Sequence, residues 1–120
     1  MKQILLLLVM LVSACSQQVD PAIPLVSGLY VFKHRYAEHP TLSSIQVKVR
    51  IDGSRIVVSN PVASDPFPAG VLAEGRLMWH ARSRQWIIGN ATSDRSVSEV
   101  GGCSDGPEVV DLAEKIYWTC

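Results

Sequence analysis

Few side chains in this chain could carry chemistry. Three histidines (His34, His39 and His80) could serve as bases or metal ligands, and three cysteines (Cys15, Cys103 and Cys120) as nucleophiles, ligands or cross-links. Cys103-Ser104-Asp105-Gly106-Pro107 has the glycine-rich form of a loop that presents a serine nucleophile. Spacing argues against each use. The histidines lack the H-x-x-x-H separation that sets two imidazoles on one metal, and no glycine loop of the phosphate-cradling form is present. A turn needs Gly and Pro for its backbone, which accounts for the Ser104 loop without catalysis. A serine nucleophile also needs a base, an orienting acid and an oxyanion site together, which is much to build in a domain this small. The expectation is a protein that is not an enzyme, with no catalytic residue, cofactor or metal.

Cys15 stands apart from the other two cysteines. Ahead of it lie a basic start at Lys2, an uncharged run from Ile4 to Val12, and small Ser13 and Ala14, the order of parts in a secretory signal. The run is too short to span a bilayer, which takes roughly 20 apolar residues. Val12-Ser13-Ala14-Cys15 resembles the lipobox of bacterial lipoprotein precursors. The resemblance implies that residues 1–14 are a signal peptide and that Cys15 receives a diacylglycerol thioether and becomes the new N-terminus. Each buried methylene then contributes about 0.8 kcal/mol to membrane attachment. Ser16, in place of Asp, resembles the sorting pattern of outer-membrane lipoproteins, which implies a chain lipid-anchored to that membrane and facing the periplasm. Residues 15–24 have two prolines and no apolar period, so they read as a tether that keeps the domain within roughly 25 Å of the bilayer.

With Cys15 committed to lipid by that resemblance, Cys103 and Cys120 remain, and an even pair in an exported chain reads as a disulfide. Closing a loop of about 18 residues, it would contribute roughly 3 kcal/mol in the chain-entropy picture. A redox-active pair is the alternative, but the C-x-x-C spacing that tunes a thiolate is missing.

Composition sets the remaining bounds. Eleven basic and 11 acidic side chains balance, so no overall field favours nucleic acid, and the chain beyond the leader suffices for one domain. Charge is nevertheless segregated. Lys33, Arg35, Lys48, Arg50 and Arg55 come early, while Asp94, Glu99, Asp105, Glu108, Asp111 and Glu114 come late. Two solvated faces account for this, with a polarised contact surface as the alternative.

The elements that must position these residues read mainly as strands. Residues 28–36 alternate with Tyr30, Phe32, His34 and Tyr36 on one face. Ile45, Val47, Val49 and Ile51 alternate with Gln46, Lys48, Arg50 and Asp52, and the turn dipeptide Asp52-Gly53 leads into Ile56 and Val58. A two-residue turn sets Arg50 against Arg55, whereas a four-residue turn relieves that repulsion, and parity allows both. Pro61, Pro66, Pro68 and Gly70 make 60–70 an irregular loop. Val71–His80 and Gln85–Gly89 form a second hairpin around Arg82-Ser83, with Trp79 opposite Trp86 as the expected heart of the core. Residues 109–117 fit either a short helix capped by Asp105 or two strands joined through Ala113-Glu114, and the strand formers favour strands.

The fold class is therefore mainly β: over residues 25–120, an antiparallel barrel or sandwich of six to eight short strands, with the short C-terminal helix as the other reading. The functional expectation is a membrane-anchored, non-enzymatic binding module of the cell envelope, an inhibitor or assembly accessory whose partner is an envelope protein. The alternative is a carrier whose barrel, lined by Tyr30, Phe32, Trp79 and Trp86, holds a small apolar ligand. Gly28-Leu29-Tyr30 is similar to the G-x-W opening of lipocalin-type barrels, with Tyr where those have Trp.

Overall fold

The computed structural model describes residues 20–120. The expected leader over residues 1–14, Cys15 and the first residues of the expected tether lie outside the described residues. Seven strands run in order: β1 (Gly28–Tyr36), β2 (Gln46–Asp52), β3 (Arg55–Asn60), β4 (Gly70–His80), β5 (Gln85–Gly89), β6 (Glu108–Asp111) and β7 (Ile116–Thr119), with one short 3-10 helix, Thr92–Ser96, between β5 and β6. They close into a barrel in sequence order. Each strand pairs antiparallel with the next, and β7 returns to lie parallel on β1 over Lys33–Tyr36. An odd number of strands in an up-and-down order requires this, because the first and last then run the same way.

Alternation decides what fills the ring. Phe32, Val47, Val49, Ile51, Ile56, Val58, Leu77, Val110 and Tyr117 point inward and are buried in one cluster, a packed interior of β-branched and aromatic side chains standing off a pleated sheet. One end of the barrel, the turn end, carries the tight β2–β3, β4–β5 and β6–β7 turns. Ile23 and Leu25 pack onto the core there, and the Gly53 N–H donates to Ser27 Oγ at 2.9 Å. Ile23, which composition alone assigns to the tether, is thus held by the barrel, because its side chain is apolar and the open end offers apolar contact. The other, loop end is covered by residues 61–69, which buried Asn60 ties down by donating to Pro68 O at 3.1 Å.

The two early hairpins match their expected faces, with one refinement. In the first, Ile51 faces Ile56, Arg50 faces Val57 and Asp52 faces Arg55. This is the register of the four-residue turn, in which Arg50 meets no cation across the strand; Asp52 and Arg55 pair as well, so the turn itself tightens to Gly53-Ser54. Gly53 has φ +60, the left-handed conformation such a turn needs. In the second hairpin Trp79 faces Trp86 and Leu77 faces Ile88, as the sequence predicts. The helical reading of 109–117 is corrected: Val110 pairs with Tyr117 and Asp111 with Ile116, so this stretch is a hairpin. Burial on alternate sides explains the choice, since Val109 and Val110 enter different cores, which a helix stripe could not arrange.

The second core lies outside the ring. Residues 90–107 fold back over the outer face of β4–β6 and cover Met78, Ile87 and Val109, with Val100 and Trp118 packed against them. Gly89 lies beneath this cover; a Cβ there would come within 2.6 Å of Met78 Sδ. His80, also on the outer face and buried, spans the contact: Nδ1 meets Ser83 Oγ and Nε2 meets Val97 O, both at 2.7 Å. Cys103 of the cover is disulfide-bonded to Cys120 just past β7, with Cα atoms 4.6 Å apart.

The disulfide spans 17 residues, so Cys103→Ser is expected to lose about 3 kcal/mol of unfolding free energy in urea titrations. Hydrogen exchange should quicken in residues 90–107 and in β7 well before it does in β2 and β3.

Candidate functional site: a tryptophan cleft

The turn end carries a cleft of about 280 Å³ beside the β4–β5 and β6–β7 turns. Arg84 adopts φ +55 to end the first turn and Lys115 does the same in the second. Trp79 and Trp86 line it from the hairpin, Trp118 from β7 and Pro24 from the N-terminal segment, with Arg84, Gln85 and Asp111 at its polar margin. All three tryptophans of the chain meet here. Trp79 and Trp86 contact edge to face, centroids 5.3 Å apart.

Their placement corrects, for Trp79, the expectation that the Trp pair is the heart of the core; Trp86 does belong to the ring core. Trp86 is 8% exposed, whereas Trp79 only packs against the cluster from its border and stays half-buried. Phe32, Val49, Ile56 and Val58 are fully buried members of the ring core, whereas Trp79 and Trp86 lie one cross-strand pair from the end of the β4–β5 ladder. Indoles give a broad apolar face and one N–H donor each. With Arg84 and Asp111 at the margin, the cleft suits a group that has an apolar face and polar edges. Sequence reasoning missed Trp118 and Arg84 as members. Tyr117 points inward by period two, so its neighbour Trp118 points outward, and that signal was legible; the meeting of two separate hairpins was not.

The residues first singled out for chemistry lie apart. His34 is inside the barrel near the loop end, fully buried, with Nδ1 2.6 Å from Ser44 Oγ and Nε2 2.7 Å from Thr119 Oγ1. Its ring meets Phe67 and Tyr36 edge-on, each with centroids 4.6 Å away. His80 is on the outer face, and His39 is exposed in the β1–β2 loop. Ser104 Oγ donates to Gly101 O at 2.7 Å and accepts the Gly106 N–H, the bonding of a turn. Cys103 is occupied in its disulfide with Cys120. Among the described residues no group of His, Cys, Asp and Glu is arranged to hold a metal ion.

A second depression, about 370 Å³ near the loop end, is acidic, with Glu74, Asp94, Asp105 and Glu108 on its wall. Three of these carboxyls already have partners, Glu74 through its ion pair with Arg55. Asp94 Oδ2 accepts the N–H groups of Asn90 and Ala91 at 2.7 and 3.0 Å, and those bonds hold its carboxyl below the usual range. Glu108 Oε2 accepts the Tyr117 hydroxyl at 2.6 Å. Burial pushes Glu108 upward against that hydrogen bond, and pushes the Tyr117 phenol far above its ordinary value.

Comparison of the chain with protein-family models, with curated proteins and with solved structures finds no match in any of the three.

Trp86→Ala should lower stability by about 3 to 5 kcal/mol and Trp79→Ala by clearly less, because only the first ring is nearly enclosed; urea titrations measure both. Burial, and then the charge of Arg35, lower the His34 pKa below 6.5. The unfolded chain therefore binds the proton more readily, so the contribution of His34 is fully present above pH 6.5 and is lost as pH falls through and below it. His34→Gln should flatten the fall in unfolding free energy between about pH 7 and pH 5.

Proposed function

We propose that the protein is a lipid-anchored module of the cell envelope that captures a partner protein by taking one of its side chains into the tryptophan cleft. The observation that carries this reading is the convergence of Trp79, Trp86 and Trp118 on a solvent-open cleft at the border of an otherwise filled barrel. Side chains that dominate binding energy insert into well-packed pockets ringed by weaker polar contacts, and Arg84, Gln85 and Asp111 supply such a margin. The packed interior supports this reading over the carrier alternative, since Phe32, Val49, Ile56 and Val58 occupy the space where an apolar ligand would lie.

In this reading Cys15 carries the lipid, the outer membrane is the site of attachment, and the partner is a periplasmic or outer-membrane protein. No catalytic step is assigned, so the role is inhibition or assembly by occupancy. Display near the bilayer raises the local concentration of membrane-bound partners.

A photo-reactive residue placed at Ala113, which lines the cleft, should cross-link one envelope protein in intact cells, and the adduct should disappear on Trp118→Ala. The same probe at Glu38, exposed in the β1–β2 loop, should give none. Equal adducts from both positions, or none from Ala113, would overturn the cleft as the site of recognition. The anchor is checked separately: Cys15→Ala should abolish lipid labelling and leave an uncleaved or mis-sorted precursor, while a mature, membrane-bound Cys15→Ala protein would refute lipidation.

A further inference from the structure

The outer face of β1–β3, with the segment just ahead of it, joins three of the six exposed large hydrophobic side chains of the described residues to a row of cations. Leu29 and Val31 point outward from β1 and are 70% and 58% exposed, and Val26, just ahead of the strand, is 80% exposed. Across the strand pair, Leu29 lies opposite Arg50 and Val31 opposite Lys48. Lys33 and then Arg35 continue the β1 row, and Arg55 borders the face from β3. Arg55 is paired with Glu74 at 3.5 Å. Among the described residues Lys33, Lys48 and Arg50 have no ion-pair partner. Asp52 is the one acidic residue within this row.

We infer that this face lies on the bilayer that carries the lipid anchor and binds anionic headgroups, with Lys33, Lys48 and Arg50 at the phosphates and Val26, Leu29 and Val31 in the interfacial layer. The inference rests on the reading of Cys15 as lipidated. Alternating exposed apolar and cationic side chains match an anionic membrane surface, where the cations meet negative charge and the aliphatic groups leave water. The mature chain is near neutral, so the attraction is local to this face. Charge elsewhere reinforces the orientation. Asp94, Asp105 and Glu108 lie on the β4–β6 side, which the strand order sets across the ring from β2, and would face away from the lipid.

Chain length permits this placement. Ile23 is packed on the core, and the chain between it and Cys15 reaches at most about 27 Å. Val26 and Leu29 come soon after Ile23 in sequence, so the face begins where the tether is fastened. Asp20 is ion-paired with Arg95 beside the 3-10 helix, and that partly exposed pair is the contact that must yield for the tether to reach across. Docking by this face leaves the tryptophan cleft open, because the cleft lies between the β4–β5 and β6–β7 turns.

The lysines provide the test. After the leader the chain has only Lys33, Lys48 and Lys115, two on the proposed contact and one in the β6–β7 turn. The mature lipidated protein, reconstituted into vesicles of phosphatidylethanolamine with phosphatidylglycerol, is treated with an amine-acetylating reagent and read by mass spectrometry. Lys33 and Lys48 should react about five-fold or more slowly than on phosphatidylcholine vesicles, with Lys115 unchanged, and high salt should remove the protection. Equal reactivity of all three lysines on both vesicle types would overturn the inference.

A second arm separates it from the anchor. The mature chain 15–120 with Cys15→Ser, which retains both cores and the disulfide, should float with anionic vesicles and not with zwitterionic ones. Adding Lys48→Glu and Arg50→Glu, both exposed and outside the core, should abolish flotation while the melting temperature holds. Flotation that survives this charge reversal, or its absence from the start, refutes the face and leaves the anchor standing. Native protein lacking lipid on Cys15 refutes the anchor, while flotation of the Cys15→Ser chain still supports the face.

Discussion

A meander of seven strands brings its first and last strands together running in the same direction, and here Lys33–Tyr36 and Ile116–Thr119 pair in parallel to close the ring. The ladder extends past the strands, with the Lys33 N–H donating to Lys115 O at 2.9 Å and the Ala37 N–H to Thr119 O at 2.8 Å. Closure removes two sheet edges that would otherwise remain unpaired. The closing strand is only four residues long, so its own ladder holds it weakly against fraying. Three contacts oppose fraying: Tyr117 buried in the ring, Thr119 bonded to His34, and the disulfide just beyond. Both the filled interior and the cleft at its border require that β7 stay in place.

The same disulfide joins closure to the second core. Residues 90–107 cover the outer face of β5, so that Trp86 and Ile88 face the ring while Ile87 faces the cover. A strand covered on both sides reads as a continuous apolar run, which is what Trp86-Ile87-Ile88 shows. Cys103 fastens the cover to the end of β7, so a loose closing strand and a loose cover would be one event. The cleft lies between two tight turns where the two cores adjoin, lined by Trp86, Val110 and Leu112 of the ring core and by Val109 and Trp118 of the second.

Period two was enough to place most of the ring. The alternation of Ile45–Ile51 and the register of Trp79 against Trp86 were both readable, because each depends on neighbours across one short turn. Reading Trp79 as central failed since cross-strand pairing shows which residues face each other but not how far along a barrel they sit. The face of His34 was readable, but the partners that let it and Asn60 be buried were not. Their partners, Pro68, Ser44 and Thr119, come from loops and from the far end of the chain, and a polar residue on an inward face becomes tolerable only once such partners are in place.

The sequence by itself determined the strand content, both early hairpins with their inward faces, the cysteine pair, and the segregation of basic and acidic side chains along the chain. These are local or compositional, set by side-chain period, turn chemistry and residue count. Tertiary structure decided that the sheet closes as a ring rather than folding into a sandwich, that residues 108–119 form a hairpin, that the 90–107 segment builds a second core, and that three distant tryptophans share one cleft. Each depends on contacts between segments far apart in the chain, where ring geometry and the burial of both faces of a strand override what a local window can specify.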